Sequence, residues 1–236
     1  MNAQEVSSAL RSLQNPSKAQ FLSRFFKTGK GEYAEGDTFL GLTVPVSRTI
    51  VRKYKDLPLE EIQKLLQSKY HEERLVALLM LVEKFKRIPN ERDSIYKVYL
   101  ANTEYINNWD LVDLSAPHIV GGYLSSKKDR SILQRLAKSE SLWEKRISIL
   151  ATLNFIVKDK EYKDTFEISE LLLLDNHDLI HKAVGWMLRE VGKRISEEKE
   201  EEFLKKHYRV MPRTMLRYSI ERFSEQKRQE YLKGLV

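Results

Sequence analysis

The feature that most constrains this chain is a repeat. In HEERLVALLMLV a cation, Arg74, precedes an apolar run. LWEKRISILATL shows the same pattern at Arg146, and LIHKAVGWMLRE shows it at Lys182. The last two cations stand 36 residues apart and the first two 72, so the period is 36 with one unit between them. That unit falls at position 110, inside YINNWDLVDLSAPHIVGGY, and a further step beyond Lys182 reaches RTMLRYSIERF near Tyr218. Apolar residues recur at three- and four-residue spacing in these segments, which marks amphipathic helices. EEIQKLLQSKY, ERDSIYKVYLA and EEKEEEFLKKHY share that spacing, and no alternating strand pattern of useful length occurs.

A period of this length fits helix–turn–helix repeats of the HEAT or tetratricopeptide sort, which stack into a curved solenoid with a long concave surface. The expectation is an all-α chain forming one domain over 1–236, with the inner helices side by side. Trp109, Asp113, Arg146, Lys182 and Trp186 would then meet at one groove. Leu171 to Leu174 are expected in the core. The chain has 41 Lys and Arg against 34 Asp and Glu, a net charge of +7 that suits a polyanionic partner. It has no cysteine, which excludes disulfide and thiolate chemistry and fits a reducing cytoplasm. MNAQEVSSALRSLQ lacks the apolar stretch of a signal peptide, and no run approaches the roughly 18 apolar residues of a spanning helix, so no membrane association is expected.

Four segments could carry chemistry. In YINNWDLVDLSAP, Asn107 reads as a helix N-cap and Asp110 as its capping partner. Asp113 lies a turn further in, where capping no longer explains it, on the same face as Trp109. Pro117 must kink or end that helix. In LIHKAVGWMLREVGKR the stripe Ile180, Ala183, Val184, Met187, Leu188 and Val191 faces the core. Trp186 stands off its centre, in line with Lys182, Arg189 and Lys193. A tryptophan among cations suits a nucleic-acid surface, although it could also cover the edge of the core. Gly185 would leave room beside its ring. In LWEKRISILATL, Arg146 shares a face with apolar residues and needs an acidic or phosphate partner, unless it bonds helix ends between repeats.

The glycine-rich stretch TGKGEYAEGDTFLG holds four of the nine glycines. GEYAEGDT approaches P-loop spacing, but Asp37 occupies the lysine position and would repel phosphate, which rejects nucleotide binding. A flexible basic loop with Lys27, Lys30 and Arg48 could still approach a nucleic-acid backbone. His177 and His181 lack a third ligand, so no metal site is expected.

NNWDLVD, LWEKRISIL and HKAVGWMLREVGKR on a 36-residue helical repeat resemble the AlkD-type DNA alkylation-repair family of HEAT-like-repeat DNA glycosylases. The similarity runs from about FFKTGKGEY to MPRTMLRYSIERF. The resemblance implies a right-handed α-solenoid of helical pairs with a concave basic groove. It implies a monomeric, cofactor-free monofunctional glycosylase that removes cationic alkylated purines from double-stranded DNA. It places the catalytic aspartate on Asp113, the active-site tryptophans on Trp109 and Trp186, and the groove arginine on Arg146. Arg146, Lys182, Arg189 and Lys193, together with Arg48 and Lys30, would bind phosphates. Members hold the lesion in an open groove without a base pocket. The chain departs from the family in its longer glycine-rich loop, and in having Phe25 or Phe26 where relatives carry a tyrosine. Some relatives bind distorted or branched DNA without catalysis, which is the alternative reading.

Overall fold

A computed structural model describes residues 1–236. The architecture is all-α: there is no strand, only a lone bridge between Thr38 and Tyr70. The chain divides into two compact units, 1–115 and 116–236. The first contains α1 (Ala3–Arg11), α2 (Pro16–Phe25), α3 (Val44–Lys53), α4 (Leu59–Leu66), α5 (His71–Arg87), α6 (Arg92–Ala101) and nearly all of α7 (Trp109–Ala116). The second contains α8 (Gly122–Leu124), α9 (Ile132–Ala137), α10 (Leu142–Ala151), α11 (Lys163–Leu171), α12 (Asp178–Arg194), α13 (Glu197–His207), α14 (Arg213–Ser219) and α15 (Glu225–Lys233).

The sequence repeat is visible in the helices. Those that carry it, α5, α7, α10, α12 and α14, start at residues 71, 109, 142, 178 and 213, at spacings of 33 to 38. Short polar residues start several helices by taking up orphan N–H groups: Asn2, Asn15, Ser141, Ser196 and Ser224 all accept from the backbone three residues on. Helix α13 has acids in its first turn and bases in its last, as dipole compensation requires. As expected from Pro117, α7 ends at Ala116, and Pro117–Gly121 widen into a π turn.

The core follows the periodicity. Ile180, Ala183, Val184, Met187, Leu188 and Val191 of α12 are all fully buried. The Leu171–Leu174 expectation is half corrected. Leu172 and Leu173 are buried, but Leu171 and Leu174 are exposed, because α11 ends at Leu171 and the turn beyond it cannot keep four consecutive residues on one side.

The repeated arginine has a structural task. Arg74 of α5 is buried, and one of its guanidinium nitrogens donates to Asn107 Oδ1, 33 residues on and just ahead of α7. Arg146 of α10 is buried too, and donates to the Leu179 carbonyl in the first turn of α12, also 33 residues on, at 2.5 Å. Each ties its own helix to the start of the next repeat helix. The bond to Leu179 fits the helix-joining reading of Arg146, and that reading is compatible with a phosphate contact. The third member of the series, Lys182, instead pairs with Asp178 of its own helix at 2.6 Å.

Gly185 serves packing and does not make room for Trp186. It is buried, and a Cβ there would lie 2.5 Å from both the Met215 carbonyl oxygen and Tyr218 Cβ, so α12 and α14 touch through it. Gly185→Ala should therefore destabilise the protein by about 1–3 kcal/mol, because α14 must move back from a well-packed contact. Thermal denaturation measures this, and an unchanged midpoint would show that α14 yields freely.

Glu200 of α13 is buried against Gly192 and has one carboxyl oxygen without a partner. Burial, reinforced by the Glu197 charge, pushes its pKa up to about 9. The folded protein thus holds this proton more tightly than the unfolded chain does. The resulting stability is complete below the ordinary glutamate value and is lost as pH rises toward 9. Glu200→Gln should raise stability at pH 8 by on the order of 2 kcal/mol and flatten the decline between pH 5 and 8. Denaturant titrations at both pH values test this; a variant as pH-dependent as the parent would place the titration elsewhere.

Candidate functional site

Trp109 and Asp113 stand four residues apart on α7, on one face, and both are half-buried. The Trp109 ring does not project freely. It stacks on Phe26 with centroids 5.3 Å apart and planes 26° apart, and it meets the edge of Phe25 at 6.2 Å. Phe26 in turn stacks on Phe39 at 5.1 Å, and Phe39 on the His71 imidazole at 4.5 Å. A ladder of rings therefore fixes the indole plane. Behind Asp113, the buried Tyr99 hydroxyl bonds to Ser115 Oγ at 2.9 Å. Burial raises the Tyr99 phenol, and the nearby Asp113 carboxylate raises it further against the opposing Ser115 hydrogen bond.

The start of α7 differs from expectation. Asn108, not Asn107, takes up the helix start: its side-chain oxygen accepts from Trp109 N at 2.8 Å and its carbonyl from Val112 N. Asn107 is one residue too early because it is engaged elsewhere, accepting from Arg74 and donating to Asp37 Oδ1 at 3.1 Å. Asp110 is likewise no capping partner, because its Oδ2 lies 2.9 Å from His71 Nε2.

These contacts belong to one buried network. Asp37, 4 % exposed, takes Arg74 at 2.7 Å and His71 Nδ1 at 3.3 Å, and His71 holds Asp110 on its other nitrogen. Burial alone would depress His71, but the Asp110 charge and the hydrogen bonds to Asp110 and Asp37 outweigh it together with Arg74 repulsion. The imidazole is pushed up to about 9 and is a cation at neutral pH. Burial likewise works against ionised Asp37, yet the His71 hydrogen bond and the Arg74 charge hold its carboxyl below the usual range. Next to this network Glu72 accepts the backbone N–H groups of Leu40, Gly41 and Leu42 at 2.8–3.0 Å.

The C-terminal half of the glycine-rich segment is therefore anchored, contrary to its expectation as a flexible loop. Asp37 and Glu72 clamp its C-terminal half onto α5. Gly41 completes the attachment at φ +83°, where a Cβ would lie 2.1 Å from the Asn15 carbonyl oxygen. Sequence reasoning missed Phe39, His71 and Arg74 as parts of this site, whereas Phe26 entered it through the resemblance. Asp37 offered a signal only as the acid that breaks the P-loop pattern.

The cations sort by exposure. Lys30 and Arg48 in the first unit and Lys193 on α12 are exposed. Lys182 is 38 % exposed and shares its charge with Asp178, and Arg189 is paired with Glu221. Trp186 is half-buried on α12, off the apolar stripe as its position requires. His181 and His177 spend a ring nitrogen each on the backbone, at the Asp175 carbonyl and the Leu179 N–H.

No helix is long and apolar enough to cross a membrane. No curated protein sequence matches the chain. A solved structure described as a predicted DNA alkylation repair enzyme from Enterococcus faecalis shares the fold, with a TM-score of 0.70 at 18% identity over 90% of this chain and 97% of that one. Residues 6–223 match the family described as DNA alkylation repair enzyme. With that match spanning the ring ladder, α7 and α12, the chain belongs to the DNA alkylation repair enzyme family.

Proposed function

We propose that this protein is a monofunctional DNA glycosylase that hydrolyses the N-glycosidic bond of cationic alkylated purines, such as 3-methyladenine and 7-methylguanine, in duplex DNA. The observation that carries the reading is the pair on α7: a carboxylate, Asp113, one turn from a tryptophan whose plane is set by Phe26. The positively charged base is already a good leaving group. When its bond to C1′ breaks, the electron pair neutralises the base and positive charge develops on the deoxyribose. The Asp113 carboxylate stabilises that charge and orients the water that attacks C1′, whose proton passes to the carboxylate or to solvent. The Trp109 face attracts the same cation, and Trp186 is assigned the same role by resemblance. Water is the only co-reactant, so the reading needs neither cofactor nor metal.

DNA affinity comes from phosphate contacts and is largely independent of sequence. Lys30 and Arg48 serve it from the first unit, and Lys182, Arg189 and Lys193 from α12. Arg146 acts by holding the first turn of α12 through Leu179. In this reading the whole chain acts as one monomeric cytoplasmic enzyme on one DNA ligand. The test is chromatographic detection of free base released from methylated duplex DNA, with borohydride added in parallel. Release without a trapped protein–DNA adduct is expected. A trapped adduct would replace the hydrolytic mechanism with an amine nucleophile. Salt-dependent DNA binding with no released base would make the protein a binder of distorted or branched DNA.

A further inference from the structure

Helices α12 and α14 are tied at two places besides their contact at Gly185. The Thr214 hydroxyl bonds to the Asp178 carboxyl, and Glu221, just past the end of α14, pairs with Arg189. Thr214, Arg217 and Glu221 follow one another at offsets of three and four, so Arg217 lies on the face that both ties define. The matching line on α12 is Asp178, Lys182, Trp186, Arg189 and Lys193, with Trp186 between the same two ties. Arg217 and Trp186 therefore look out from one continuous panel of the second unit, and Arg217 is exposed.

The cations of this panel are not equally available. Lys182 is held by Asp178 and Arg189 by Glu221. In both pairs the acid is the more exposed member. Asp178 is 54 % exposed against 38 % for Lys182, and Glu221 59 % against 20 % for Arg189. The acids stand toward solvent, over the cations they neutralise. Neither acid is spent on Arg217. Ion pairs this exposed hold weakly, whereas a guanidinium can meet a phosphate through two parallel hydrogen bonds. A polyanion approaching the panel meets Arg217 ready, and Lys182 and Arg189 behind acids that it can displace. Once one phosphate is held at Arg217, its neighbours on the same strand reach those acids at high effective concentration, which a lone anion cannot do.

We infer that Arg217 is the leading phosphate contact of this panel, and that Asp178 and Glu221 gate Lys182 and Arg189, which take phosphates only when the DNA backbone displaces the two acids. The inference deepens the reading of α12 as a DNA-binding helix. It rests on DNA being the ligand of this chain and not on the chemistry of Asp113. It adds α14 to the DNA surface and gives two acids of that surface an opposing role.

The test is equilibrium binding of the full chain to an undamaged duplex over a series of salt concentrations. Arg217→Ala should weaken binding roughly threefold or more and lower the slope of log affinity against log salt by about 0.9, the value of one phosphate contact. Arg217→Lys keeps the charge and should restore the slope. Glu221→Gln and Asp178→Asn should each tighten binding roughly twofold or more, because each frees a cation and removes a repelling charge. Arg135→Ala on α9 and Glu202→Gln on α13, which frees Lys199, make the same changes of charge elsewhere and should leave affinity near the parent's. All these side chains are on the surface, and an unchanged thermal midpoint verifies the fold. An Arg217→Ala protein with the parent's slope, acid variants that bind no better than the parent, or controls that shift as far as the panel variants overturn the inference. A parent that does not bind duplex overturns the DNA reading with it. Base release from methylated DNA is measured separately, so its absence removes the glycosylase reading and leaves the panel standing.

Discussion

Asp113→Asn is expected to lower base release from methylated duplex DNA by about two to three orders of magnitude, the usual cost of deleting one preorganised electrostatic group at a reacting centre. Affinity for the same DNA should change little or improve, because the substitution removes a negative charge from a surface that meets phosphates. The amide has nearly the shape of the carboxylate, and the site is half-buried on a short helix, so the fold should persist. Single-turnover release and equilibrium binding separate the two effects. Release within fivefold of the parent would remove Asp113 from the centre of the mechanism. Parallel loss of binding would instead mark it as part of the DNA-holding surface.

The second large effect is on stability. His71 is a buried cation between Asp37 and Asp110, and His71→Leu leaves the Asp110 carboxylate without its partner. Breaking a buried ion pair from one side costs about 3–5 kcal/mol. The pH dependence identifies the cause. The folded imidazole is raised to about 9 from an ordinary value of 6.5. Its stabilisation is therefore complete below pH 6.5, where the unfolded chain also carries the proton, and is lost as pH climbs through 9. That shift corresponds to about 3 kcal/mol across the window. Glu200 titrates in the same direction, but it is common to both proteins and cancels in their difference. The gap between parent and His71→Leu should thus be widest near pH 6 and shrink toward pH 9.5. A gap independent of pH would mean that the leucine costs stability through shape alone.

What could be read from the sequence was local. The spacing of Trp109 and Asp113 is a property of eight consecutive residues, and the apolar stripe of α12 is a property of seventeen. Both are set by the helix period, and both hold. The 36-residue step is longer but still periodic, and helix starts recover it. Apart from Leu171 and Leu174, exposed where α11 ends, the failures involve partners that no period announces. Asn107 would make a good cap in isolation, but Asp37, 70 residues earlier, and Arg74 claim its side chain. Asp110 would suit a capping box, but His71, 39 residues away, is the stronger partner. Gly185 looked like space for a ring, while the atom that excludes a side chain there is a carbonyl on another helix. The attachment of the glycine-rich segment from Asp37 onward is not legible in sequence because its clamps, Asp37 and Glu72, are individually ordinary residues. Only their burial among matched donors gives them weight.

The paired 33-residue reach of Arg74 and Arg146 also decides where this chain can be cut. A fragment ending between Arg74 and Asn107 would keep a buried guanidinium and lose an acceptor, and one ending between Arg146 and Leu179 would do the same. Such ends leave a buried donor short of one acceptor on top of the contacts removed. Cuts placed beyond each acceptor avoid it, and the boundary of the first compact unit, at Ser115, lies past Asn107. The arginines thus act as rulers, each measuring how much of the next repeat must be present before its own helix is complete.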